Sequence, residues 1–551
     1  MTGPGRLPAG VGLTAALVLA VVTAAAGSGL ELADAASTPP FTHFNGMVGE
    51  LYFPEMTGQG AGFVDYDGDG DQDAYLVQGA HFAVPGGVER ANPPFAGPGR
   101  PHDVLLRNDG GGEGIRWIDV TQAAGIVAEG YGMAVATGDF DGDGWTDLFT
   151  GNYGPDQLWR NRGDGTFEDA SARLVEPEPR WTTSAVFADF DGDGREDLYV
   201  VDYVDYSVQD PPNCYAASSR RDYCGPSGFA SQPDRLLRNA GGGVFEDVSA
   251  RSGVDAVAGS GLGASVVDVD GDGRLELYVS NDGQPNFLWR IEDGRWLDDA
   301  LLAGVAVNRS GEPEASMGIA AGDFDRDGDE DLVTVHLDGE TDTIYVNQGN
   351  GLFDDRTRER GLAAATMPFT SFGVAWIDLD RDGWLDLAVV NGAVRIQERA
   401  ELADDPYPLA QRNQLFANRR GEFVELSDEP FTAGVEVSRG LVRGDLDNDG
   451  DHDLLVTNSA GPARLFLGGG RPGADWIGLS FAGRSHQGVT AAYASGERLT
   501  VRASAAGSYA SAADPRALVV GPERPLALTI QEPRGTIRLS APPLGRYLRF
   551  P

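Results

Sequence analysis

The sequence has few basic residues, and that shortage limits its partners. Lys and Arg together number 42 against 84 Asp and Glu, so the formal net charge is −42 over 551 residues. Recognition of phosphate needs clustered basic side chains. The composition therefore argues against nucleic acid and anionic membrane surfaces as partners and favours cations as ligands. A merely solvated or disordered acidic surface is the alternative interpretation.

Long apolar runs are lacking beyond the start of the chain. Arg6 precedes an apolar stretch from Val11 to Ala26, and small residues near positions 26 and 35 are candidate cleavage sites. This pattern predicts a secretory signal over residues 1–35, with an uncleaved anchor as the alternative. We expect no stable membrane span in the mature form and a secreted, periplasmic or cell-surface location.

Cysteine is scarce. Cys214 and Cys224 are ten positions apart in a polar insertion rich in Pro, Ser and Arg. In an exported chain, this spacing predicts a disulfide that pins the insertion. A metal or redox pair is the alternative, but no second Cys or His at suitable spacing supports it.

The acidic residues concentrate in seven loops of the form D-x-D-x-D-G-x-x-[DE]. About 33 of the 84 acidic residues lie in these nine-residue windows, which begin at Asp65, Asp139, Asp189, Asp268, Asp323, Asp378 and Asp445. Position 6 is always glycine, as expected where the chain reverses through positive φ. One such loop could be an ordinary turn. Seven in register, each followed by a strand-like run, predict a repeated metal site.

Alternate carboxylates on a curved backbone can face one ion. Calcium takes six to eight hard oxygen ligands in flexible geometry, so we expect Ca²⁺ at up to seven sites. Position 7 varies freely, which suits a backbone carbonyl ligand. The loops are not EF-hands, because position 12 is not acidic and the flanks are not helical. The predicted metal ligands, at positions 1, 3, 5, 7 and 9, are Asp65, Asp67, Asp69, Asp71, Asp73, Asp139, Asp141, Asp143, Trp145, Asp147, Asp189, Asp191, Asp193, Arg195, Asp197, Asp268, Asp270, Asp272, Arg274, Glu276, Asp323, Asp325, Asp327, Asp329, Asp331, Asp378, Asp380, Asp382, Trp384, Asp386, Asp445, Asp447, Asp449, Asp451 and Asp453.

A second repeated element predicts the architecture. Runs such as Gln157-Leu-Trp-Arg-Asn follow each loop, and a Gly-rich turn with a short aromatic run comes next in most copies. With the apolar run before each loop, the unit has four antiparallel strands. Four-stranded units repeated radially make a propeller. We therefore predict an all-β fold, a seven-bladed β-propeller over residues 36–473, closed by Phe41-Thr-His-Phe as an outer strand of the last blade.

These motifs resemble the FG-GAP/VCBS repeat family, whose calcium loops also occur in integrin α-chain propellers. Phe372-Gly373 precedes one loop, and Gly461-Pro462-Ala463 follows another. The run Met56–Asp71 and the segment beginning at Arg221 are similar to the cartilage-acidic-protein group. The resemblance covers about residues 41 to 470 and implies calcium binding, an extracellular location and adhesion or ligand recognition, but no reaction.

Members of that group commonly end in a small ASPIC/UnbV domain. Residues 474–551 occupy that place, beginning with Asp475-Trp-Ile-Gly-Leu. The glycine-rich and tryptophan-containing signatures expected further on are poorly kept. We therefore expect a small, diverged, β-rich module.

Three long connections should emerge on the face opposite the metal loops. They span residues 80 to 102, 203 to 233 and 392 to 413. Long loops on one face are where binding is expected. Their aromatic and arginine side chains suit a protein or carbohydrate ligand, and the alternative is that the aromatics pack on their own blade. The candidate ligand residues are Tyr203, Tyr206, Arg220, Arg221, Tyr223 and Arg395.

Three functions are compatible with these patterns. The first is an exported binding or adhesion module that recognises an extracellular protein or carbohydrate. The second is a calcium-assisted enzyme acting on anionic sugars as a lyase or dehydratase, although no G-x-S-x-G, H-E-x-x-H or paired-cysteine zinc motif is found. The third is a structural calcium-binding matrix protein. No catalytic residue is predicted.

Overall fold

Short antiparallel strands account for most of the ordered structure. The computed structural model describes residues 32–35, 37–110, 114–175, 180–216, 218–292, 294–396, 407–469, 475–482, 485–521, 523–532 and 535–550. Residues 1–31, which hold most of the predicted signal, lie outside them.

Strand β1 is Leu32–Asp34, and the short helix α1 is Phe53–Thr57. The first four units follow in chain order. Unit 1 contains β2 Ala61–Val64, β3 Asp73–Leu76, β4 Val104–Asn108 and β5 Trp117–Asp119. Unit 2 contains β6 Gly132–Gly138, β7 Asp147–Gly154, β8 Gln157–Asn161 and β9 Phe167–Asp169. Unit 3 contains β10 Arg180–Ala188, β11 Asp197–Asp202, β14 Arg235–Asn239 and β15 Phe245–Asp247, with the hairpin β12 Cys214–Tyr215 and β13 Arg221–Asp222 inserted. Unit 4 contains β16 Gly261–Val267, β17 Glu276–Asn281, β18 Phe287–Glu292 and β19 Arg295–Asp298, and is preceded by α2 Ser249–Ser252.

Three further units complete the series. Helix α3 is Ala300–Ala303, and unit 5 contains β20 Ile319–Gly322, β21 Asp331–Thr334, β22 Thr343–Asn347 and β23 Phe353–Asp355. Helix α4 is Ala363–Thr366, and unit 6 contains β24 Ser371–Ile377, β25 Asp386–Asn391, β27 Gln414–Asn418 and β28 Phe423–Leu426. The short strands β26 Gln411–Arg412 and β29 Val435–Glu436 pair beside it, and α5 is Pro430–Ala433. Unit 7 contains β30 Ser438–Gly444, β31 Asp453–Asn458 and β32 Arg464–Gly468. Single 3-10 turns lie at Ser171–Arg173, Pro226–Gly228 and Val254–Ala256.

The units stand in a ring. The first strand of each unit contacts the first strand of the next unit in chain order, and β30 of unit 7 contacts β2 of unit 1. The hydrophobic clusters of the ring join neighbouring units. For example, Tyr75 of unit 1 packs with Trp159 of unit 2. The structure is all-β and has the arrangement of a β-propeller, as predicted.

The outer strand of unit 7 comes from the N-terminal side of the chain. Strand β1 pairs antiparallel with β32, from Leu32 opposite Gly468 to Asp34 opposite Phe466. The prediction that the run from Phe41 to Phe44 supplies this strand is wrong. Thr42 instead forms an isolated bridge with Pro462. Strand β1 also lies within the predicted signal segment, and its Leu32 is fully buried.

The last 77 residues of the chain form a β-rich module, of which two sheets are described. The strands are β33 Asp475–Phe481, β34 Gln487–Ala492, β35 Arg498–Ala503, β36 Ala517–Gly521, β37 Ala527–Glu532, β38 Gly535–Ser540 and β39 Tyr547–Phe550. One sheet has the order β36-β33-β39 and the other β35-β34-β37-β38. Ile477, Val489 and Leu528 are among the side chains of their common core.

The connection between β35 and β36 enters the centre of the ring. Residues 504–514 of this connection are here called the plug loop. Its backbone pairs with first strands around the ring: Val135 N–H with Ala510 O at 3.1 Å, Phe63 N–H with Ala512 O at 3.0 Å and Asp514 N–H with Arg443 O at 2.9 Å. A Cβ added at Gly60 would lie 1.7 Å from the Ala510 carbonyl oxygen, so only glycine permits this approach. The module is thus anchored in the propeller.

Candidate metal centre

All seven acidic loops share one backbone shape. The glycine at position 6 has φ between 83° and 102° in every loop. Position 4 is left-handed as well, with Gly68, Gly142, Gly192 and Gly271 in four loops and Arg326, Arg381 and Asn448 in the others. The sequence analysis missed position 4, although glycine in four of seven copies signalled it. Two left-handed residues curl the loop inward.

The carboxylate at position 1 holds this curl together. In unit 2, Asp139 Oδ1 accepts N–H groups from Gly142 at 2.9 Å and Asp143 at 3.1 Å, and Oδ2 accepts from Gly144 at 2.9 Å. The bond from the position 6 N–H recurs at 2.9 or 3.0 Å in units 3, 4, 6 and 7. The aspartate at position 1 therefore shapes the loop without the help of an ion.

The carboxylate at position 9 begins the second strand of each unit and is buried. Asp147 Oδ2 accepts the N–H of Phe140 at 3.1 Å, and its Oδ1 accepts the N–H of Asn161 at 2.7 Å. The same pair of bonds fixes Asp73, through Tyr66 and Asn108. Position 9 thus joins the loop to the third strand.

Carboxylate oxygens converge inside the loops. One oxygen each from Asp65, Asp67 and Asp73 lie within 4.8 Å of one another, as do oxygens from Asp139, Asp141 and Asp147. Comparable triads occur at Asp189, Asp191 and Asp193, at Asp268, Asp270 and Asp272, and at Asp323, Asp325 and Asp331. Like charges this close repel strongly unless a cation or protons compensate them.

Burial opposes ionisation of the position 9 carboxyls. It raises the pKa of Asp73 and Asp147 to about 9, that of Asp386 to about 8, and that of Asp197 and Glu276 to about 7. Neighbouring aspartates raise these pKa values further. A bound cation would remove this penalty, because it favours the charged form.

Several buried oxygens have no hydrogen-bond donor among the residues that the structure describes. They belong to loop positions 1, 3 and 9: Asp65 Oδ1, Asp268 Oδ1, Asp323 Oδ1, Asp325 Oδ1, Asp331 Oδ2 and Asp447 Oδ1. Buried polar atoms are normally paired. Orphaned carboxylate oxygens in a confined, flexible loop are the hard ligands that calcium prefers. The residues present therefore fit Ca²⁺.

Position 7 side chains turn to other contacts. Asp71 accepts an N–H from Asn448 at 2.8 Å, and Asp451 pairs with Arg381 at 2.8 Å. The ring of Trp145 lies over Gly68 and Gly163. That position 7 offers a backbone carbonyl to an ion stays a prediction.

Arginines contact some of the same carboxylates. Arg160 pairs with Asp141 and, at 2.7 Å, with Asp143, and Arg360 pairs with Asp325 at 2.8 Å. These side chains partly neutralise positions 3 and 5. An ion at those loops must share the carboxylates with them.

The metal loops are also tied to neighbouring units. The asparagine that ends a third strand donates to the position 2 carbonyl of the preceding loop, as Asn161 does to Tyr66 at 2.8 Å. The other four ties join Asn239 to Phe140, Asn347 to Val269, Asn418 to Phe324 and Asn108 to Leu446. The asparagine that recurs at the end of the third strand was a visible signal for this role.

The C-terminal module covers part of the metal face. Tyr547 donates its hydroxyl to Asp445 Oδ2 at 2.7 Å, and Thr500 donates its N–H to Asp323 Oδ2 at 3.2 Å. Asp323, Asp378 and Asp445 are buried, whereas Asp139, Asp189 and Asp268 remain partly accessible. The seven loops are therefore not equivalent.

The opposite face is closed by the helix α1. Phe53 packs against Trp181, Tyr203 and Tyr206, and the Tyr509 hydroxyl of the plug loop donates to Thr57 O at 3.0 Å. The two segments meet at the ring centre. Fully buried Arg439 holds α1 through two bonds to Met56 O, at 2.8 and 2.6 Å.

The candidate ligand residues separate into two groups. Tyr203, Tyr206 and Tyr223 are buried, and their hydroxyls contact Asp282, the Phe53 N–H and Glu55. Their aromatic rings therefore belong to the core around α1 and are not displayed on the surface.

The arginines lie near one another at the surface. Arg220 and Arg221 are on or beside the hairpin β12–β13, and Arg221 pairs with Glu50 at 3.1 Å. The Asp222 carboxylate accepts the N–H of Ile396 at 3.1 Å, which brings exposed Arg395 beside the hairpin. Much of the loop from 392 to 413 lies outside the described residues.

The predicted disulfide is confirmed. Cys214 and Cys224 are bonded, with their Cα atoms 5.2 Å apart, and the bond closes the hairpin. Tyr215 on this hairpin is 64 % exposed. A large aromatic ring held outward is a typical recognition feature.

The comparisons with known proteins agree with this repeat. A model of the FG-GAP-like repeat matches residues 139–200, 268–334 and 323–389. Each match begins at the first aspartate of a metal loop. The chain contains FG-GAP-like repeats and is similar to cartilage acidic protein 1. It is 27 % identical to the human protein over 245 residues and 24 % identical to the mouse protein over 371 residues.

These alignments cover only part of each protein. They span 42 % and 64 % of this chain, and 34 % and 50 % of the human and mouse proteins. Among solved structures, a lectin from Agrocybe aegerita that recognises non-reducing terminal N-acetylglucosamine aligns with a TM-score of 0.36 and 17 % identity, over 64 % of this chain and 82 % of the lectin. BBS1N in its complex with ARL6DN aligns with a TM-score of 0.43 and 10 % identity, over 79 % of this chain and 97 % of that chain. Within the described residues, no helix has the length and apolar character needed to cross a membrane.

Proposed function

We propose that this FG-GAP-repeat protein is an exported, seven-bladed, calcium-stabilised propeller that binds an extracellular protein or carbohydrate. The observation that carries the proposal is the set of converging carboxylates. Oxygens from three acidic residues of one loop approach within 4.8 Å, and buried oxygens among them have no donor. Calcium would neutralise each loop and hold its curl.

The described units support the blade count. Seven four-stranded antiparallel sheets can be traced when β1 is added to unit 7, and their first strands contact in a closed cycle. The disulfide supports export, because such bonds persist in oxidising compartments. Removal of a signal near residue 26 would leave β1 in place.

The ligand surface that we propose is the rim around the pinned hairpin. Tyr215 is exposed there, and Arg220, Arg221 and Arg395 lie nearby. Arginine with an aromatic ring suits a carboxylate-bearing ligand, such as an acidic peptide or an acidic sugar. A sugar-cleaving reaction finds less support, because Tyr223, one of the side chains that could carry a proton, is buried.

Calcium titration of the chelated protein tests the metal proposal. Isothermal calorimetry should show several bound calcium ions, and thermal unfolding should show a calcium-specific rise in Tm that equal magnesium does not reproduce. Asp139→Ala should lose one ion, because Asp139 organises its loop. Asp255→Ala, at an exposed position outside the loops, is the matched control. Absence of both binding and stabilisation would show that the loops are acidic turns.

A further inference from the structure

A small cavity separates the C-terminal module from the propeller. It has a volume of about 60 Å³ and is lined by first strands of units 4 to 7 and by β35 and β36 of the module. A single water molecule needs about 10 to 15 Å³ of cavity volume. The cavity therefore has room for a few waters or one larger ion.

Most ionised groups around the cavity already have partners. Glu330 accepts two N–H groups of Arg502, one of them at 2.9 Å, and Arg516 pairs with Asp514 at 2.7 Å. Asp378 accepts backbone N–H groups from Asp382 at 3.0 Å and Gly383 at 2.9 Å. These pairs leave no lining carboxylate without a donor.

Arg443 is the exception. It lies on β30 and lines the cavity, and its guanidinium forms no hydrogen bond or ion pair with any residue that the structure describes. The Asp514 carboxylate acts on it electrostatically, but that carboxylate is already paired with Arg516. A guanidinium in a protein interior is normally paired, because its five N–H donors need acceptors.

His452 adds a second donor. Its Nδ1 accepts the N–H of Asp378 at 3.4 Å, so the proton of the neutral ring is on Nε2. His452 also lines the cavity, and its Nε2 has no acceptor in the described part of the chain. Two unpaired donors thus share one small space.

We infer that this cavity binds a small inorganic anion of halide size, held by the Arg443 guanidinium and His452 Nε2–H. The anion would compensate the charge of half-buried Arg443, which has no ion-pair partner among the described residues. It would also join β30 of unit 7 to the module, because module residues form the other wall. A water cluster in the cavity is the competing outcome.

Bromide provides the direct test. In crystals of the full chain grown with calcium and soaked in bromide, an anomalous peak should lie within hydrogen-bond distance of the Arg443 guanidinium. Ordered water in the cavity with no bromide peak would overturn the inference. This measurement uses the unaltered protein and does not depend on a variant folding.

Halide-dependent stability is the second test. At saturating calcium and constant ionic strength, replacing gluconate with chloride in the buffer should raise Tm by a few degrees. A ligand that binds only the folded state stabilises that state. Arg443→Met should abolish this shift, whereas Arg251→Met, on the exposed surface, should keep it. If Arg443→Met keeps the chloride-dependent rise in Tm, the anion site is refuted. If the protein shows this rise but binds no calcium, only the proposed function is refuted.

Discussion

Asn161 of unit 2 donates an N–H to the Tyr66 carbonyl of unit 1 at 2.8 Å. Its backbone N–H reaches Asp147 at 2.7 Å. One residue therefore links the metal loop of its own unit to the metal loop of the unit before it. Repeated four more times around the ring, this link makes the stability of one blade depend on its neighbour's loop.

Asn161→Ala should lower the free energy of unfolding by about 1 to 3 kcal/mol, because buried carbonyls lose their donor. The affected acceptors are Tyr66 O and Thr146 O. Denaturant unfolding at saturating calcium measures the effect. Asn161→Asp should show most of the loss, and Asn350→Ala, in an exposed turn, should show little. Equal stability of all three variants would contradict the link.

Calcium should leave the loops in at least two kinetic phases, since the module covers some of them. Asp323, Asp378 and Asp445 are buried, whereas Asp139, Asp189 and Asp268 are partly accessible. Stopped-flow mixing with a fluorescent chelator measures these rates. Tyr547→Phe should speed the slow phase, because it removes the bond to Asp445, and Tyr215→Phe on the opposite face should not. A single phase in the wild-type protein would show that the cover has no effect on exchange.

Glu55 should make stability fall as the pH rises. Burial raises the pKa of Glu55 to about 7 from an ordinary value of 4.5. Among the described side chains, only the Tyr223 hydroxyl donates a hydrogen bond to the Glu55 carboxylate, at 3.0 Å. A carboxyl group whose pKa is higher in the folded state than in the unfolded state stabilises the fold most at a pH below its unfolded-state pKa. That stabilisation is lost as the pH rises through the folded-state pKa. Between pH 5 and pH 8 this loss amounts to about 2 kcal/mol.

Glu55→Gln should remove that slope. The difference in unfolding free energy between Glu55→Gln and wild type, measured with denaturant at saturating calcium, should grow by about 2 kcal/mol in favour of the variant from pH 5 to pH 8. Glu89→Gln, an exposed position on the same face, should follow wild type. Parallel pH profiles for Glu55→Gln and wild type would show that Glu55 keeps an ordinary pKa.

Leu32 should remain in the protein after removal of the proposed signal. A chain starting at residue 27 should be more stable than one starting at residue 36, because the shorter chain loses β1 and the burial of Leu32. Burial of one leucine contributes about 1.5 to 3 kcal/mol. Mass spectrometry of the secreted protein locates its first residue. A mature chain that begins at residue 36 and unfolds at the same temperature as the longer chain would disprove the role of β1.

The shape of the acidic loops could be predicted because the residues that determine it are adjacent in sequence. Alternate aspartates and the glycine at position 6 define one curl, and the curl recurs whatever surrounds it. The structure shows this curl in every loop. At position 7, the side chains of Trp145 and Asp71 contact other residues. Pairing of Cys214 with Cys224 was predictable for the same reason.

The ring centre could not be predicted, because it depends on distant contacts. Helix α1 has only five residues and carries no helical periodicity, so nothing marked Phe53 as the partner of Tyr203 and Tyr206. Those tyrosines therefore looked like surface aromatics. The plug loop had a clearer signal, since nearly all of residues 504–513 are Ser, Ala or Gly, which fit a narrow space.

The plug loop also determines when this protein can become complete. Residues 504–514 follow all seven units in the chain, yet they pair with the first strands of units 1, 2 and 7. Strand β1, at the other end of the described chain, closes unit 7. A growing polypeptide thus carries an unfilled ring until residues 504–514 have been made. The ring can take its final form only after the chain has extended well past its last blade strand.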